Sequence, residues 1–268
     1  MKNKVIVITG ASSGIGKATA LQFAKEGSKI IIAARTLDKL DETKQEIINL
    51  GAEVFSIKAD VAIEEDCKRL IDQTIVHFGK IDVLINNAGI SMRALFNETD
   101  LSVIKNVMDV NFWGTVYCTK YALPSILENK GSVVGVSSIA GFVGLPARTG
   151  YSASKFAMHG FLNALRNENL ENDLHVLIAC PGFTASNIRN TALKADGSKQ
   201  GESPREEEKM MSANEVSEHI YSAVVHRKEQ IVLSSEGKLA HLLSKFMPKT
   251  INKAIFYKLK KEPNSPIK

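Results

Sequence analysis

The sequence is poor in cysteine, and its few cysteines are not arranged for chemistry. Its 268 residues hold three, Cys67, Cys118 and Cys180, with no CxxC pair. Secreted disulfide scaffolds and zinc ribbons need paired or closely spaced cysteines, so both classes are excluded. We interpret the three thiols as small buried hydrophobic side chains. The six histidines also lack ligand-like spacing, and no metal site is predicted.

Long uncharged apolar runs are missing as well. The longest neutral stretch, residues 131–147, is interrupted by Ser, Gly and Pro, whereas a membrane-spanning helix needs about 18 to 20 apolar residues. Residues 1–9 offer about four apolar residues in a row, fewer than the roughly 7 to 15 of a signal-peptide core. We therefore expect a cytoplasmic protein without a transmembrane helix.

The body of the chain has no excess of basic charge. The formal net charge is +5, but residues 238–268 contain eight lysines and one glutamate, which leaves a charge of −2 on residues 1–237. A nucleic-acid-binding body needs a basic face, and the sequence has no zinc-finger, RNP or helix-turn-helix pattern. These observations exclude nucleic acid as a partner and set residues 238–268 apart as a basic tail.

The sequence does contain short β-branched runs that alternate with longer segments of helical period. Each run is apolar along its length, as expected of parallel strands covered by helices on both faces. The runs are residues 5–9, 29–33, 54–57, 83–85, 132–136, 175–179 and 230–233. Because no proline-rich linker or repeat divides them, the pattern predicts a single α/β domain, residues 1–237, with a doubly wound parallel sheet of about seven strands.

Two segments depart from this alternation. Residues 184–211 are polar and aperiodic, and they follow the carboxyl end of a strand, where open α/β sheets bind their ligands; we interpret them as a substrate loop. In residues 238–268, apolar side chains recur every three to four residues among the lysines, with Pro248 as an interruption. Such an amphipathic tail either lies on an anionic membrane surface or covers the substrate loop or a neighbouring subunit, and we favour the covering role.

A glycine-rich turn joins the first strand to the first helix, in the string TGASSGIG that begins at Thr9. Glycines let a backbone turn tightly and approach a diphosphate, whose charge is met by amides and by the positive end of the helix. The position of this turn at the start of a βαβ series predicts a nucleotide site.

Tyr151 and Lys155 form a second candidate pair. At a spacing of four residues on a helix, both side chains lie on one face, and an ammonium group there favours the ionised phenol. A phenol whose ordinary pKa is about 10 is thereby brought closer to working pH for proton transfer. In isolation the pair means little, because surface helices contain it by chance.

The glycine-rich turn and the Tyr151–Lys155 pair become significant because they occur with several other motifs in a fixed order. The full set is TGASSGIG, Asn86-Asn87-Ala88-Gly89 after a strand, Asn111 in a helix, Ser137-Ser138 after the fifth strand, Tyr151, Lys155 and Pro181-Gly182 after the sixth. In this order, from about residue 5 to 233, the chain resembles the single-domain branch of the short-chain dehydrogenase/reductase family. The resemblance implies a Rossmann-type fold, a nicotinamide dinucleotide and the interconversion of a carbonyl and an alcohol.

The resemblance also implies catalytic roles. Tyr151 would be the general acid for the carbonyl oxygen, and Lys155 would lower the tyrosine pKa and bind the nicotinamide ribose. Ser138, thirteen residues before Tyr151, would hold the carbonyl oxygen, while Ser137 is interpreted as structural. Asn111 would support a water that links Lys155 to solvent.

The same resemblance predicts which residues bind the cofactor. Besides Tyr151 and Lys155, they are Gly10, Ser12, Ser13, Gly14, Ile15, Gly16, Arg35, Thr36, Asp60, Val61, Asn87, Ala88, Gly89, Pro181, Gly182, Thr184 and Ser186. Asp60 matches the position that contacts adenine. Ser186 stands where the family has the threonine that binds the carboxamide, and Thr184 lies two residues early.

The end of the second strand predicts the cofactor. An acidic residue there would accept the adenosine ribose hydroxyls and repel a 2′-phosphate, but this chain has Ala34 followed by Arg35 and Thr36. A guanidinium binds phosphate by charge and by bidentate geometry. The sequence therefore predicts NADP(H).

We hypothesise an NADP(H)-dependent oxidoreductase for a lipophilic ketone or secondary alcohol, with residues 90–96, 142–145 and 184–211 at the pocket mouth. The alternative is a catalytically silent NADP-sensing or scaffold protein, which needs the glycines but not the phenol. The family resemblance implies dimers or tetramers built on the helices that carry Asn111 and Tyr151, and we favour a homodimer because the glycine-rich ending of the tetrameric relatives is replaced by the basic tail. Their predicted outward apolar residues are Phe112, Trp113, Val116, Tyr117, Phe156, His159, Phe161 and Leu162.

Overall fold

The computed structural model describes residues 1–185, 187–203 and 210–268. The strands are β1 (Val5–Thr9), β2 (Lys29–Ala34), β3 (Val54–Lys58), β4 (Val83–Asn86), β5 (Ser132–Val136), β6 (His175–Cys180) and β7 (Gln230–Val232). The α-helices are α1 (Gly14–Lys25), α2 (Leu37–Asn49), α3 (Glu64–Phe78), α4 (Leu101–Met108), α5 (Gly114–Glu128), α6 (Thr149–Glu168), α7 (Ala213–Val225), α8 (Ser235–Phe246) and α9 (Pro248–Lys260).

The seven strands form one parallel sheet in the order β3-β2-β1-β4-β5-β6-β7. The chain winds outward from β1 to β3 and then returns to the other side of β1 with β4. The carboxyl ends of β1 and β4 therefore meet where the winding direction reverses, which is where open α/β sheets form a ligand crevice. The prediction of a Rossmann-type, doubly wound single domain is confirmed.

Helices cover both faces of the sheet, and successive side chains of each strand enter opposite cores. In β1, Val5 and Val7 belong to one buried cluster, and Ile6 and Ile8 belong to the other. Full burial of such a side chain contributes roughly 1.5–3 kcal/mol. This burial on both faces explains why the strand segments are apolar throughout.

Glycines end the first two helices as the sequence predicts. Gly27 and Gly51 follow α1 and α2 with φ of +76° and +78°, a conformation that costs glycine little and that closes a helix end. The three cysteines are buried and free.

A π-helical segment, Asp109–Trp113, joins α4 to α5. It places the predicted site residue Asn111 in the middle of a continuous helical rod, with its side chain fully buried. Such wide turns are frequent at functional sites because they redirect side chains that a regular helix would align differently.

The predicted dimer helices expose fewer apolar residues than the sequence suggests. Trp113 and Phe156 are exposed, but the expectation that His159 and Leu162 face outward is wrong. Both are buried in their own chain, because α6 packs closely on β5: a Cβ placed on Gly135 would lie 2.4 Å from Leu162 Cδ1.

The basic tail forms two helices. The Ser234 hydroxyl caps α8 by accepting a hydrogen bond from the Gly237 amide at 3.0 Å, so the helix begins three residues before the predicted tail boundary at residue 238. Pro248 starts α9, a position where its missing N–H costs nothing. No helix within the described residues is long and apolar enough to cross a membrane.

The predicted substrate loop contains a narrow turn rather than regular structure over its described residues 187–203. The Lys194 amide donates to the Ser198 carbonyl at 2.8 Å, and Leu193 pairs with Lys199 across the turn. Leu193 also exchanges backbone hydrogen bonds with Ser91 and Arg93 at 2.9 and 2.8 Å. The segment is therefore fixed along the loop that follows β4.

Candidate active site

The glycine-rich turn brings the backbone of β1 against the loop after β4. Gly10 has a φ of +66°, and a Cβ there would lie 2.8 Å from Ala88 Cα. A Cβ on Gly16 would lie 2.3 Å from both the Gly10 carbonyl oxygen and Asn87 Nδ2. Neither position can carry a side chain without moving backbone, so both glycines are required by the fold of this turn.

The amino end of α1 faces the same turn. The Ser13 side chain makes no capping hydrogen bond, and the first turn of α1 contains no acidic residue. The first turn of α1 thus supplies no anion to its own amides or to the positive end of the helix dipole, an arrangement that suits a bound phosphate.

A cavity of about 440 Å³ opens above this turn. Its lining includes many of the predicted cofactor residues: Gly10, Ser12, Ser13, Gly14, Ile15, Arg35, Thr36, Asp60, Val61, Asn87, Ala88 and Gly89. The side-chain-free glycines, the helix end and the Arg35 cation together provide the shape and the donors that an extended, multiply charged dinucleotide requires. The residues present fit that cofactor.

Arg35 and Asp60 lie side by side at the adenosine end of the cavity. Arg35 Nη1 is 3.9 Å from Asp60 Oδ2, and the Arg35 side chain is 60% exposed, so its guanidinium is accessible to a ligand. Asp60 Oδ1 accepts a hydrogen bond from the Ala62 amide at 3.1 Å, which gives this carboxylate a structural role as well. Thr36 begins α2 without a side-chain capping bond.

Asn86 and Asn87, at the end of β4, have different structural roles. Asn87 Nδ2 donates to the carbonyls of Thr9 and Gly10 at 2.9 and 3.1 Å, and thereby ties the glycine-rich turn to the β4 loop. Asn86 Nδ2 donates to Thr119 Oγ1 at 3.1 Å, behind the sheet edge. Asn86 is accordingly a brace, whereas Asn87 shapes the cavity wall.

Asn111 fixes the segment that leads from this wall toward the reacting groups. Its amide exchanges hydrogen bonds with the backbone of Ile90 at 2.8 and 3.0 Å, and it donates to Ser154 Oγ at 2.9 Å. A Cβ on Gly89 would lie 3.2 Å from Asn111 Oδ1 and 3.7 Å from Lys155 Nζ. The absent side chain at Gly89 is what lets these groups converge.

Ser138, Tyr151 and Lys155 come together where β5 ends against α6. Ser138 follows β5 in extended conformation and is hydrogen-bonded to Tyr151. Lys155 Nζ donates to the Val136 carbonyl at 2.9 Å and lies 5.9 Å from the centre of the Tyr151 ring. One helical turn and one strand end thus place a phenol, a hydroxyl and an ammonium together, with Lys155 buried and with Ser138 and Tyr151 half-buried.

Burial dominates the electrostatics of this group. It raises the pKa of Tyr151, against which the Ser138 hydrogen bond and the Arg148 charge act, and it lowers the pKa of Lys155 to about 8. The expectation that Lys155 lowers the tyrosine pKa stays a prediction. At 5.9 Å from the ring centre the ammonium bonds the Val136 carbonyl, and the groups that favour the phenolate are Ser138 and Arg148.

Ser137 points away from Tyr151 into a second polar cluster. Its hydroxyl lies 2.7 Å from His159 Nε2, and Cys180 Sγ lies 3.7 Å from the same nitrogen. Burial lowers the pKa of His159 to about 4 and raises that of the Cys180 thiol to about 12. At neutral pH both groups are uncharged, so this cluster supports the site from behind.

The segment after β6 agrees less well with the predicted set of cofactor residues. Pro181, Gly182 and Thr184 are absent from the cavity lining. Thr184 is buried and hydrogen-bonded to the Gly182 carbonyl at 3.3 Å, because its backbone pairs with Met211. The predicted carboxamide-binding residue Ser186 lies outside the described residues.

Several lining residues escaped the sequence prediction by name. They are Ala59, Asn106, Val110, Asn187, Ile188, Thr191, Leu193 and Lys199. Asn106 and Val110 are four residues apart on one helical face, a spacing that could have marked them. Nothing in the sequence signals Lys199, which reaches the cavity because of the turn at residues 194–198.

Comparison with known proteins agrees with this geometry. The family described as short chain dehydrogenase matches residues 4–197, and the chain belongs to that family. "Dehydrogenase/reductase SDR family member 7B" of Mus musculus is 35% identical over 87% of this chain and 74% of its own length. "11-beta-hydroxysteroid dehydrogenase-like 2" of Arabidopsis thaliana is 42% identical over 71% of this chain, and the match spans 62% of that protein.

Solved structures give the same result. An alcohol dehydrogenase of the archaeon Thermococcus sibiricus, complexed with 5-hydroxy-NADP, superposes with a TM-score of 0.77 at 25% identity over 87% of this chain and 96% of that one. A putative short-chain alcohol dehydrogenase of Sinorhizobium meliloti gives 0.66 at 28% identity over 69% and 73%. These likenesses agree with the family assignment and with the fold described above.

Proposed function

We propose that the protein is an NADP(H)-dependent oxidoreductase that reduces a lipophilic ketone to a secondary alcohol. The observation that carries this proposal is that Tyr151, Ser138 and Lys155 lie together where β5 ends against α6, next to Gly89, and that Gly89 lines the cavity that also presents Arg35. The neighbour solved with 5-hydroxy-NADP supports the cofactor.

The cofactor would lie along the glycine-rich turn, with Arg35 and Thr36 at the 2′-phosphate and Lys155 at the nicotinamide ribose. When bound, it supplies the hydride that reduces the carbonyl carbon. Ser138 donates a hydrogen bond that orients the carbonyl oxygen, and Tyr151 gives that oxygen its proton. The raised pKa of Tyr151 keeps the phenol protonated, as a general acid requires.

An apolar wall beside Tyr151 supports a lipophilic substrate. Met92, Val103, Val107 and Leu193 are buried together, and Tyr151 packs against them. Leu193 and the neighbouring Ile90 carry this apolar cluster to the cavity lining, which there offers little to a phosphorylated or sugar-like compound, whose polar groups would lose their water without gaining partners. The names of the plant relatives, which refer to hydroxysteroids, agree with this substrate class.

A silent NADP-sensing or scaffold protein is the alternative. A sensor needs the glycine-rich turn and Arg35, but it has no use for Tyr151 and the buried Lys155. Their desolvation is costly, so their presence together favours an enzyme.

A panel of lipophilic and polar ketones, followed by the loss of NADPH absorbance, tests the proposal. We expect turnover with at least one lipophilic ketone and none with phosphorylated ketoses. Tight NADPH binding without turnover across the panel would favour the sensor.

We further propose a cytoplasmic homodimer, assembled on the face of α6 that exposes Phe156 and on the π-helical segment before α5, which exposes Trp113. Sedimentation of the purified protein would report two chains per particle. Trp113→Glu should then produce monomers, because a buried charge without a partner opposes association.

A further inference from the structure

Three charged side chains from distant parts of the chain meet in one buried group, here called the Glu262 cluster (Arg93, Arg148 and Glu262). Glu262 Oε2 lies 3.5 Å from Arg93 Nη2 and 3.5 Å from Arg148 Nη2. The three side chains are 7%, 11% and 6% exposed. A carboxylate buried between two guanidiniums is held in place, because removing it would leave two like charges facing each other out of water.

The last residues of the chain are fixed around this cluster. Arg93 Nη2 also donates to the Pro263 carbonyl at 2.8 Å, and Asn264 Nδ2 donates to Glu202 Oε1 of the substrate loop at 2.9 Å. Leu259 and Ile267, on either side of Glu262, are buried. The segment after α9 is therefore attached to the body of the protein by several kinds of contact.

Both arginines belong to segments that form the substrate side of the site. Arg93 lies between Met92 and Ala94, which are buried in the apolar wall that Tyr151 contacts. Arg148 immediately precedes α6, three residues before Tyr151, and the Ala147 carbonyl accepts a hydrogen bond from the Ala94 amide at 3.0 Å. Glu262 thus connects the C-terminal segment to the two walls between which a substrate would enter.

We propose that Glu262 is a positioning residue that clamps the loop after β4 to the start of α6 and thereby sets the width of the substrate entrance. Glu262 is not among the residues that line the nucleotide cavity, and it acts on the site through Arg93 and Arg148. Substrate affinity should depend on it, whereas NADPH affinity should not. The kinetic part of this proposal rests on the proposed function.

The test uses the full-length protein and three variants. Glu262→Gln keeps the shape of the side chain and removes its charge, and Glu262→Asp keeps the charge on a shorter side chain. Glu236→Gln is the matched control, because Glu236 forms an exposed tail ion pair with Lys258 at 2.6 Å. The measurements are KM and kcat for a ketone, the dissociation constant of NADPH, and the rate at which trypsin releases the C-terminal peptide after Lys260 or Lys261.

For Glu262→Gln we expect KM to rise at least tenfold, kcat to change less than threefold, NADPH affinity to change less than twofold, and tail release to accelerate at least tenfold. Glu262→Asp should change KM and tail release in the same directions by smaller factors, and it decides the question if the Gln variant does not fold. Glu236→Gln should match the wild type.

Two results would overturn the proposal. Equal tail release in the position-262 variants and in Glu236→Gln would show that no clamp exists. Faster release with unchanged KM would show that the clamp does not position the substrate entrance. A wild type that reduces no ketone would contradict the proposed function instead, and the clamp itself would then be decided by tail release alone.

Discussion

The nucleotide side and the substrate side of the cavity are held together in different ways. On the nucleotide side, the turns that follow the strand ends supply most of the cavity lining, as in the turn after β1, which Asn87 ties to the β4 loop over 2.9 Å. On the substrate side, backbone hydrogen bonds join the loop after β4 to residues 187–203 and to Ala147, and side chains attach the C-terminal segment to that loop and to Arg148. The first arrangement depends on backbone geometry, and the second depends in addition on a few buried charges and apolar contacts.

This difference predicts that the two sides respond to different mutations. Nucleotide binding should fail when a backbone approach is blocked, whereas substrate affinity should fail when a side-chain contact is lost. Lys155 lies where the two sides meet, so its loss should affect both.

Lys155→Ala should have the largest effect. Without the ammonium, the site loses a ribose contact and the cation that stands beside Tyr151, so we expect turnover to fall by about 10²- to 10⁴-fold and NADPH affinity to fall about tenfold. Steady-state kinetics and fluorescence titration with NADPH measure the two losses. Normal NADPH affinity in this variant would show that Lys155 serves one side only.

Gly16→Ala should abolish most nucleotide binding. The new Cβ would lie 2.3 Å from the Gly10 carbonyl oxygen, and relieving such overpacking costs about 1–3 kcal/mol, which corresponds to an NADPH complex weaker by about 5- to 150-fold. Gly160→Ala is the control, since no atom lies within 4 Å of a Cβ on Gly160. Equal NADPH affinity in the two variants would refute the backbone account of the nucleotide side.

The double substitution Ala34→Asp and Arg35→Ala should have a smaller effect than Lys155→Ala or Gly16→Ala, and the effect should be on cofactor preference. We expect the wild type to prefer NADPH over NADH at least tenfold in kcat/KM, equivalent to about 1.4 kcal/mol. The double variant should prefer NADH, because it places a carboxylate at the 2′-phosphate position and removes the guanidinium. Arg227→Ala, at a surface arginine paired with Asp173, should leave the preference unchanged.

The histidine behind the site should affect acid stability and change turnover least. The pKa of His159 falls from 6.5 to about 4 on folding, mainly through burial, so the unfolded chain binds a proton that the folded chain refuses between these values. The contribution of His159 to the free energy of unfolding is therefore fully present above pH 6.5. It decreases as the pH falls toward 4, by about 2 kcal/mol between pH 7 and pH 4.5.

In His159→Gln the free energy of unfolding should decrease less between pH 7 and pH 4.5, and urea unfolding at the two pH values measures this difference. His226→Gln, at an exposed histidine on the carboxyl end of α7, provides the control. An unchanged pH dependence in the His159 variant would mean that this residue is not the one that resists protonation.

The two sides also differ in how far the sequence could predict them. The nucleotide residues follow strand ends that apolar runs mark clearly, and the motifs between Gly10 and Gly89 therefore locate the cavity lining. Lys199 reaches the same cavity because of a turn at residues 194–198, and the hydrophobic periodicity of the sequence does not predict that turn. Glu262 meets Arg93 and Arg148 across more than a hundred residues of chain, and a contact of that kind has no local signal.

The sequence also does not predict the orientation of α6 on the sheet. The pattern places His159 and Leu162 on a helix but does not show which face meets the sheet. That choice depends on the space left by Gly135, into which Leu162 packs. The same packing directs Ser137 toward His159 and leaves Ser138 at Tyr151.

The most direct test of the account is the comparison of NADPH affinity and ketone turnover in Tyr151→Phe. The phenol oxygen donates the proton but contributes little to dinucleotide binding, so we predict a loss of turnover of about 10²- to 10⁴-fold with NADPH affinity within threefold of the wild type. Turnover near the wild-type rate would contradict the assignment of Tyr151 as the general acid, and with it the proposed reaction.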